Sequence, residues 1–473
     1  MRKNPTLSER PADQCENPKR RLILGLAIGT VVAATTRSIF IALQPTDESN
    51  PTESTVEKKT ESFIIPEDER TGQDILLTAT YDSYVEINGA NCFTQEPLTT
   101  WTSILKKLPA GTNVRLLVPI NFADWCTKML QENYPNLNIS TYNLNALPEH
   151  ITAHLAYPQD YIFPTGRVDK NGRFIIATGT LDFDFLEIKY EIFGSPEEKA
   201  ESEDDKLFRK LRFAGDDVLV NMHPDTFVAE YIPIFCPGGD LQVVRLPDGR
   251  SAAIVGKSNI ANSCMILRYL TGEKRKEFLS KPITLDELES VKKTYKDALK
   301  VNEVIFIDKQ HTFEEAENGN IDPRNMTYGS AFFHSDMIVK TATDPKNPNK
   351  RLAFYNNIPS LLGISTRAQA FFEDIRYLNR VHDQFQGLGY EMVGLPCGPR
   401  SVLNYVNCTM FTKDGIHYVM VPQYGILEDE KAVEIYEQRG FKVVKVDMSY
   451  LIMRGEEAMS KGGSVHCGMV VLK

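Results

Sequence analysis

The fold class of this chain is predicted from a strand–helix–strand pattern that begins with Ile416-His417-Tyr418-Val419-Met420-Val421-Pro422. Its apolar and β-branched residues predict a strand that ends at a proline, because proline cannot donate to a sheet ladder. An amphipathic helix is predicted from about Glu428 to Gln438, with Gly440 as its C-terminal stop. A second strand, Phe441 to Val446, follows. The sequence therefore predicts a strand–helix–strand unit near the C-terminus.

The same order of elements occurs near the start of the globular sequence. Asn113-Val114-Arg115-Leu116-Leu117-Val118-Pro119 again predicts a strand that ends at proline. A helix is predicted from Phe122 to Glu132 and a short strand from Leu137 to Ser140. Two such copies indicate that one ββαβ-like module is repeated along the chain.

The sequence between these copies also alternates strands and helices. Residues Asp240 to Val255 predict a hairpin that turns at Asp248-Gly249. Residues Thr284 to Lys300 predict a helix that begins with a capping box, and the strand Glu303 to Asp308 follows. This alternation predicts the α/β class.

Composition excludes several kinds of protein. The chain has 473 residues, a net charge of −10 and no basic stripe, so nucleic acid is not an expected partner. Its eight cysteines include no CxxC pair and no zinc-like spacing with histidine, so no metal site is expected. Their density is also too low for a disulfide scaffold.

The N-terminal region differs in composition from the rest. Residues 1–21 form a basic tail that ends in Lys19-Arg20-Arg21, and residues 22–43 are apolar enough for either a single membrane anchor or a signal segment. Residues 44–71 have the composition of a disordered linker, so we expect one catalytic domain over 72–473. The basic flank predicts that this domain lies outside the cytoplasm, membrane-anchored or exported; a cytoplasmic location is the less favoured alternative.

Cys467 is a candidate nucleophile near the end of the chain. It closes Gly462-Gly463-Ser464-Val465-His466-Cys467, a glycine-containing turn that lets a ligand approach the backbone closely. A thiolate is a strong nucleophile for carbon centres. Considered alone, a cysteine in this place is more often a buried, inert thiol.

Two further segments carry polar candidates. His334 and Asp336 lie in Phe332-Phe333-His334-Ser335-Asp336-Met337-Ile338-Val339, which predicts a strand with both side chains on one face. Asp160 lies among aromatic residues in Ala156-Tyr157-Pro158-Gln159-Asp160-Tyr161, where partial desolvation would favour a cationic partner. A solvated strand face and a turn-capping aspartate are the alternatives for these segments.

Together these residues resemble the agmatine deiminase and bacterial-type peptidylarginine deiminase family of the guanidino-modifying, or pentein, superfamily. The resemblance runs from about residue 75 to 473. It rests on six motifs in the family's order: the element around Asp160, Cys236-Pro237-Gly238-Gly239-Asp240, His334-Ser335-Asp336, Ser401-Val402-Leu403-Asn404, the module from Val421-Pro422 to Asp429, and Gly462 to Cys467.

The resemblance implies a five-bladed α/β propeller of ββαβ modules with the site on its axis. It implies Cys467 as nucleophile, His334 as acid and base, and Asp160 and Asp336 as carboxylates that bind guanidinium. Asn404 and Asp240 are further implied substrate-binding residues. The implied reaction is deimination of a guanidino small molecule or of protein arginine, with no cofactor and no metal.

One departure from the family pattern leaves alternatives open. Pro237 stands where agmatine deiminases have a glutamate that pairs with the catalytic histidine. Bacterial peptidylarginine deiminases lack this glutamate, as this chain does. An amidinotransferase and a guanidine-binding protein with little turnover are the alternatives to a hydrolase. A thiol protease fits less well, because the His-x-Asp pair would have no orienting role in it.

Overall fold

The computed structural model describes residues 62–78, 84–87, 90–93, 104–118, 123–143, 162–179, 215–232, 239–270, 281–319, 334–357, 368–396, 403, 405–449 and 465–473. The predicted basic tail, the apolar segment 22–43 and most of the predicted linker lie outside these residues. Among the helices in the described ranges, none is long and apolar enough to cross a membrane.

Strands account for most of the regular structure. They are β1 (Asp74–Thr78), β2 (Tyr84–Ile87), β3 (Ala90–Phe93), β4 (Asn113–Val118), β5 (Asn138–Asn143), β6 (Phe163–Val168), β7 (Phe174–Gly179), β8 (Phe227–Ile232), β9 (Leu241–Arg245), β10 (Ser251–Val255), β11 (Glu303–Phe306), β12 (Val339–Asp344), β13 (Asn347–Asn356), β14 (Glu391–Leu395), β15 (Thr409–Lys413), β16 (Ile416–Gln423), β17 (Lys442–Asp447) and β18 (Met469–Val471).

Helices connect many of these strands. They are α1 (Ala123–Asn133), α2 (Gly215–Met222), α3 (Lys257–Leu270), α4 (Leu285–Leu299), α5 (Lys309–Glu317), α6 (Ala368–Gly387), α7 (Glu428–Gln438) and α8 (Val465–Gly468).

Apart from β2 and β3, which pair with each other in a two-stranded sheet, the strands form one small sheet per repeated unit. Units 2 to 5 have the strand orders β6-β7-β8, β9-β10-β11, β12-β13-β14 and β15-β16-β17. In each, the first two strands pair antiparallel and the third pairs parallel after a helical crossover. Unit 1 is β18-β1-β4-β5, in which the C-terminal β18 pairs antiparallel with β1. The predicted ββαβ module therefore occurs in units 2 to 5. Unit 1 instead has three parallel strands, β1, β4 and β5, and β18 supplies its antiparallel strand.

Hydrophobic cores join the five units into a closed ring. Residues of units 1 and 2 share one core, those of units 2 and 3 a second, and those of units 3 and 4 a third. Units 4, 5 and 1 share the fourth and largest core. Every unit thus packs on two neighbours, and the α/β propeller fold class is confirmed.

Strand periodicity explains how one sheet reaches two neighbours. On β10, Ala253 and Val255 lie in the core shared with unit 2, whereas Ala252 and Ile254 lie in the core shared with unit 4. Successive side chains of a strand point to opposite faces. A strand between two cores is therefore buried at every position, as β10 is, and four of its five residues, Ala252 to Val255, are apolar.

Several local predictions are confirmed. The 240–255 hairpin forms as β9 and β10, with Gly249 at a positive φ of 84° in its turn. Helix α4 begins at the predicted capping box, in which Thr284 and Glu287 bond each other's backbone N–H. The predicted helix Glu428 to Gln438 is α7.

The predicted strand through His334 and Asp336 is wrong. Residues Ser335–Met337 form a turn of 3-10 helix, and β12 begins only at Val339. The backbone N–H of Ser335 donates to the Asp240 carboxylate and that of Asp336 to the Gly239 carbonyl. These bonds to unit 3 replace the ladder bonds of a strand, so the two side chains do not share a strand face.

The predicted boundary at residue 72 is too late. Ser62, Phe63 and Ile64 are buried, and residues 67–69 form a 3-10 turn, Glu67-Asp68-Glu69, which we call the acidic turn. The acidic turn and the adjacent Arg70 contact all five units.

Arg70 donates to the carbonyls of Val471 in unit 1 and Pro164 in unit 2. Glu69 accepts from Arg245 in unit 3, and Asp68 accepts from Thr343 in unit 4. Glu67 accepts from the backbone N–H of Met410 in unit 5.

Candidate active site

His334 lies against the backbone of the unit 3 loop that precedes β9. An added Cβ at Gly239 would be 2.5 Å from Nδ1 of His334. Real Cβ atoms do not approach a heavy atom so closely, so only glycine fits this position without a shift. The neighbouring bond from the N–H of Asp336 to the carbonyl of Gly239, 3.1 Å long, fixes the two loops together.

Asp240 is the buried carboxylate beside His334. It is fully buried and accepts bonds from the Ser258 hydroxyl at 2.5 Å, the Asn259 N–H at 3.0 Å and the Ser335 N–H at 3.0 Å. The first two donors lie in the first turn of α3, where a carboxylate interacts favourably with the helix dipole. Asp240 therefore fixes the loop that carries His334 to the start of a helix.

Burial raises the pKa of Asp240 to about 6, although the positive charge of His334 and the three hydrogen bonds oppose this shift. The unfolded chain would have an ordinary aspartate pKa of about 4. The folded state thus binds the proton more tightly than the unfolded state does.

The stability of the protein should therefore depend on pH through Asp240. The contribution of this group is fully present below about pH 4 and is lost as the pH rises to about 6, by up to about 3 kcal/mol. Measuring the free energy of unfolding in urea against pH, for the natural chain and for Asp240→Asn, should show the difference between them falling across this window. Parallel curves would contradict the assignment.

Asp336 belongs to a buried chain of charged side chains. Its Oδ2 lies 2.7 Å from Nδ1 of His466, and Nε2 of His466 lies 2.7 Å from Oε2 of Glu67. Oε1 of Glu67 in turn accepts from Nζ of Lys340 at 2.9 Å. Asp336, His466 and Lys340 are each at most 3% exposed. We call these four residues the charge network.

The directions in which the pKa values of Glu67 and His466 shift follow from these contacts. Burial alone would raise the pKa of Glu67, but the charges of Lys340 and His466, with their hydrogen bonds, hold it well below its usual range. Burial and Lys340 lower the pKa of His466, yet Glu67 and the hydrogen bonds to both carboxylates raise it overall. The contact between Glu67 and His466 therefore favours the charged form of both side chains inside the fold.

The structure describes only some of the predicted site residues. His334, Asp336 and Asp240 are described, and the loops that carry them are bonded together. Cys467 is placed by its backbone in α8, directly after His466, but its side chain lies outside the described part of the structure. Asp160 and Asn404 also lie outside the described residues, as does Pro237.

Two residues of the charge network were missed by sequence reasoning. Glu67 stands in an acidic run that has the composition of a solvated linker. Lys340 gave a usable signal, because it is a single charge in the apolar run Met337 to Ala342. Charged residues are rarely buried unless they are paired. Within the residues described, no group of histidine, cysteine and acidic side chains is arranged to hold a metal ion.

Comparisons with known proteins reveal similarity to solved deiminase structures. No family model and no curated protein sequence matches this chain. The chain is 12% identical to a C. jejuni agmatine deiminase, covering 86% of this chain and 94% of that one with a TM-score of 0.46. It is 14% identical to an agmatine deiminase of Enterococcus faecalis, covering 86% and 94% of the two chains with a TM-score of 0.44.

Proposed function

We propose that this chain is a cysteine-dependent hydrolase that converts a guanidino group into a ureido group and releases ammonia. One observation carries the proposal. Three sequence elements far apart in the chain, at residues 239–240, 334–336 and 466–467, are joined by direct bonds between Asp240 and Ser335 and between Asp336 and His466. They bring carboxylates and a histidine to the segment that ends in Cys467.

These residue types suit the chemistry of a guanidinium ion. The ion is planar and permanently charged, so carboxylates bind its N–H groups and hold its carbon in place. We assign this role to Asp336 and to Asp160. The Cys467 thiolate would attack the carbon and form a C–S bond.

Proton transfers complete the reaction. His334 would donate a proton to the leaving nitrogen, so that the C–N bond breaks and ammonia departs. His334 would then take a proton from water as the water oxygen attacks the same carbon. The C–S bond breaks, the ureido product leaves and the thiolate is restored. Asp240 supports His334 here, because it supplies a buried carboxylate beside the imidazole. It lies three residues after Pro237, which stands where agmatine deiminases have a glutamate.

The test uses the full-length chain and three substrates. Agmatine, free arginine and an arginine-containing peptide are incubated separately, and ammonia and ureido product are measured. Equal amounts of both products, without an added amine, are expected from one substrate. Product that forms only when an amine acceptor is added would indicate an amidinotransferase. Guanidine binding without turnover would contradict a hydrolase and indicate a binding protein.

Gly239→Ala should reduce this activity without unfolding the protein. The new methyl group would occupy the space of the His334 imidazole, whose Nδ1 lies 2.5 Å from the added Cβ. A misplaced catalytic group can cost about 10²-fold in rate, and we expect a loss of this order in kcat. The matched control is Gly387→Ala, where an added Cβ meets nothing within 4 Å. An unchanged kcat in Gly239→Ala would contradict the role of His334.

A further inference from the structure

His466 lies between two groups that can only accept hydrogen bonds when ionised. Its Nδ1 faces Asp336 and its Nε2 faces Glu67, each at 2.7 Å. A neutral imidazole has one N–H and one bare nitrogen, so it can donate to only one carboxylate. Two short contacts to carboxylates are satisfied together when both ring nitrogens carry protons. The geometry points to an imidazolium.

The surroundings of His466 balance this charge. Glu67 and Asp336 are the negative members of the charge network, and His466 and Lys340 are the positive ones. Asp68 follows Glu67 in the acidic turn, Arg70 follows the turn itself, and both side chains are buried too. A buried set of alternating charges avoids the large penalty of a single buried ion, and removing one member leaves another unpaired.

The network joins the two segments that the proposed reaction needs. His466 directly precedes Cys467, and Asp336 follows His334 by two residues. Glu67 reaches His466 from the acidic turn, close to the start of the described chain. The same Glu67 is fixed by Lys340 of β12 and by the N–H of Met410 in β15. Three different parts of the protein therefore set the orientation of the His466 side chain.

We propose that Glu67 and His466 are positioning residues of the active site, in which His466 works as a fixed imidazolium held between Glu67 and Asp336. This imidazolium holds the Asp336 carboxylate in the orientation that the substrate's guanidinium group needs. It also fixes the backbone segment that presents Cys467. The inference rests on the proposed function and adds to it a requirement for the N-terminal acidic turn.

The first test measures the protonation of His466 without any substrate. In the full-length chain labelled with ¹⁵N-histidine, NMR should show both ring nitrogens of His466 protonated from about pH 6 to about pH 8.5, where a free histidine would be neutral over most of the range. The resonances are assigned by comparison with His466→Asn. A neutral tautomer of His466 at about pH 7 would overturn the proposal.

The second test follows the pH profile of kcat/KM in Glu67→Gln. Removing this carboxylate lowers the pKa of His466, so the imidazolium is lost as the pH rises through the new value. The loss relative to the natural enzyme is expected to be smallest at the acidic end of the profile and to grow by about tenfold for each pH unit above the lowered pKa. A loss of equal size at every pH would indicate a merely structural role and overturn the proposal.

Glu69→Gln is the matched control, because Glu69 lies on the same turn but pairs with Arg245 and not with His466. Its pH profile should match that of the natural enzyme. If Glu67→Gln does not fold, Glu67→Asp replaces it, because this variant keeps the negative charge but moves the carboxylate away from His466 by one methylene group. A smaller decline of kcat/KM at high pH is then expected. An active enzyme whose His466 is neutral overturns this inference alone. Absence of turnover on every guanidino substrate overturns the proposed function, and the catalytic part of this inference with it.

Discussion

Cys467→Ala is expected to lower the rate of ureido product formation by at least about 10³-fold, because the variant has no group that can form the covalent intermediate. The measurement is the initial rate of ammonia release on the substrate that the natural enzyme prefers. Binding of that substrate should persist, since the carboxylates that hold the guanidinium group are unchanged. Activity retained by Cys467→Ala would refute a cysteine-dependent mechanism.

Two other cysteines serve as controls for this variant. Cys264 and Cys408 are buried, and burial raises the pKa of both thiols, to about 11 for Cys408. A thiol in such surroundings is a poor nucleophile because little thiolate forms near neutral pH. Cys264→Ala and Cys408→Ala should therefore keep kcat close to that of the natural enzyme. A large loss of kcat in either, with the fold intact, would contradict the assignment of Cys467.

Arg70→Met is expected to cause the largest loss of stability, about 3–5 kcal/mol in the free energy of unfolding. The Arg70 guanidinium is buried and donates to the carbonyls of Ile65, Pro164 and Val471 at 3.1, 2.9 and 2.7 Å. Methionine fills similar space but leaves these carbonyls without their donor, and each unsatisfied buried group is costly. Urea unfolding monitored by circular dichroism gives the free energy.

Arg250→Met is the control for this loss. Arg250 bonds Asp248 at the hairpin turn, and both side chains are more than a third exposed. Surface ion pairs of this kind contribute about 0–1 kcal/mol, so the variant should unfold at nearly the urea concentration of the natural chain. Equal losses in Arg70→Met and Arg250→Met would show that the buried guanidinium does not join units 1 and 2.

Sequence patterns predicted the units well because each unit is a local structure. The β16–α7–β17 unit followed from an apolar run, a helical period and a glycine stop within about thirty residues. The capping box of α4 and the turn of the β9–β10 hairpin also involve residues close in sequence. Such elements depend on neighbouring residues, so one sequence is enough to locate them.

The failures share one physical cause. The segment at His334 reads as a strand, but its N–H groups donate to Asp240 and Gly239 of another unit, and it forms a 3-10 helix instead. The acidic turn reads as part of a solvated linker, but Lys340, His466 and Arg245 neutralise its charges inside the ring. In both cases the deciding partner is distant in sequence, and no local pattern reveals it.

Local sequence patterns thus establish the ββαβ unit, the α/β class and the residue types that suit guanidinium chemistry. The strand that starts at Ile416 is the central strand of unit 5, and its buried run, Tyr418 to Pro422, is mostly apolar because the unit packs between neighbours. This pattern is visible within the strand itself. Only the tertiary structure decided that the five units close into a ring and that Glu67 reaches His466 beside Cys467. Ring closure brings charges from distant segments into one buried place, where each is stable only because of the others.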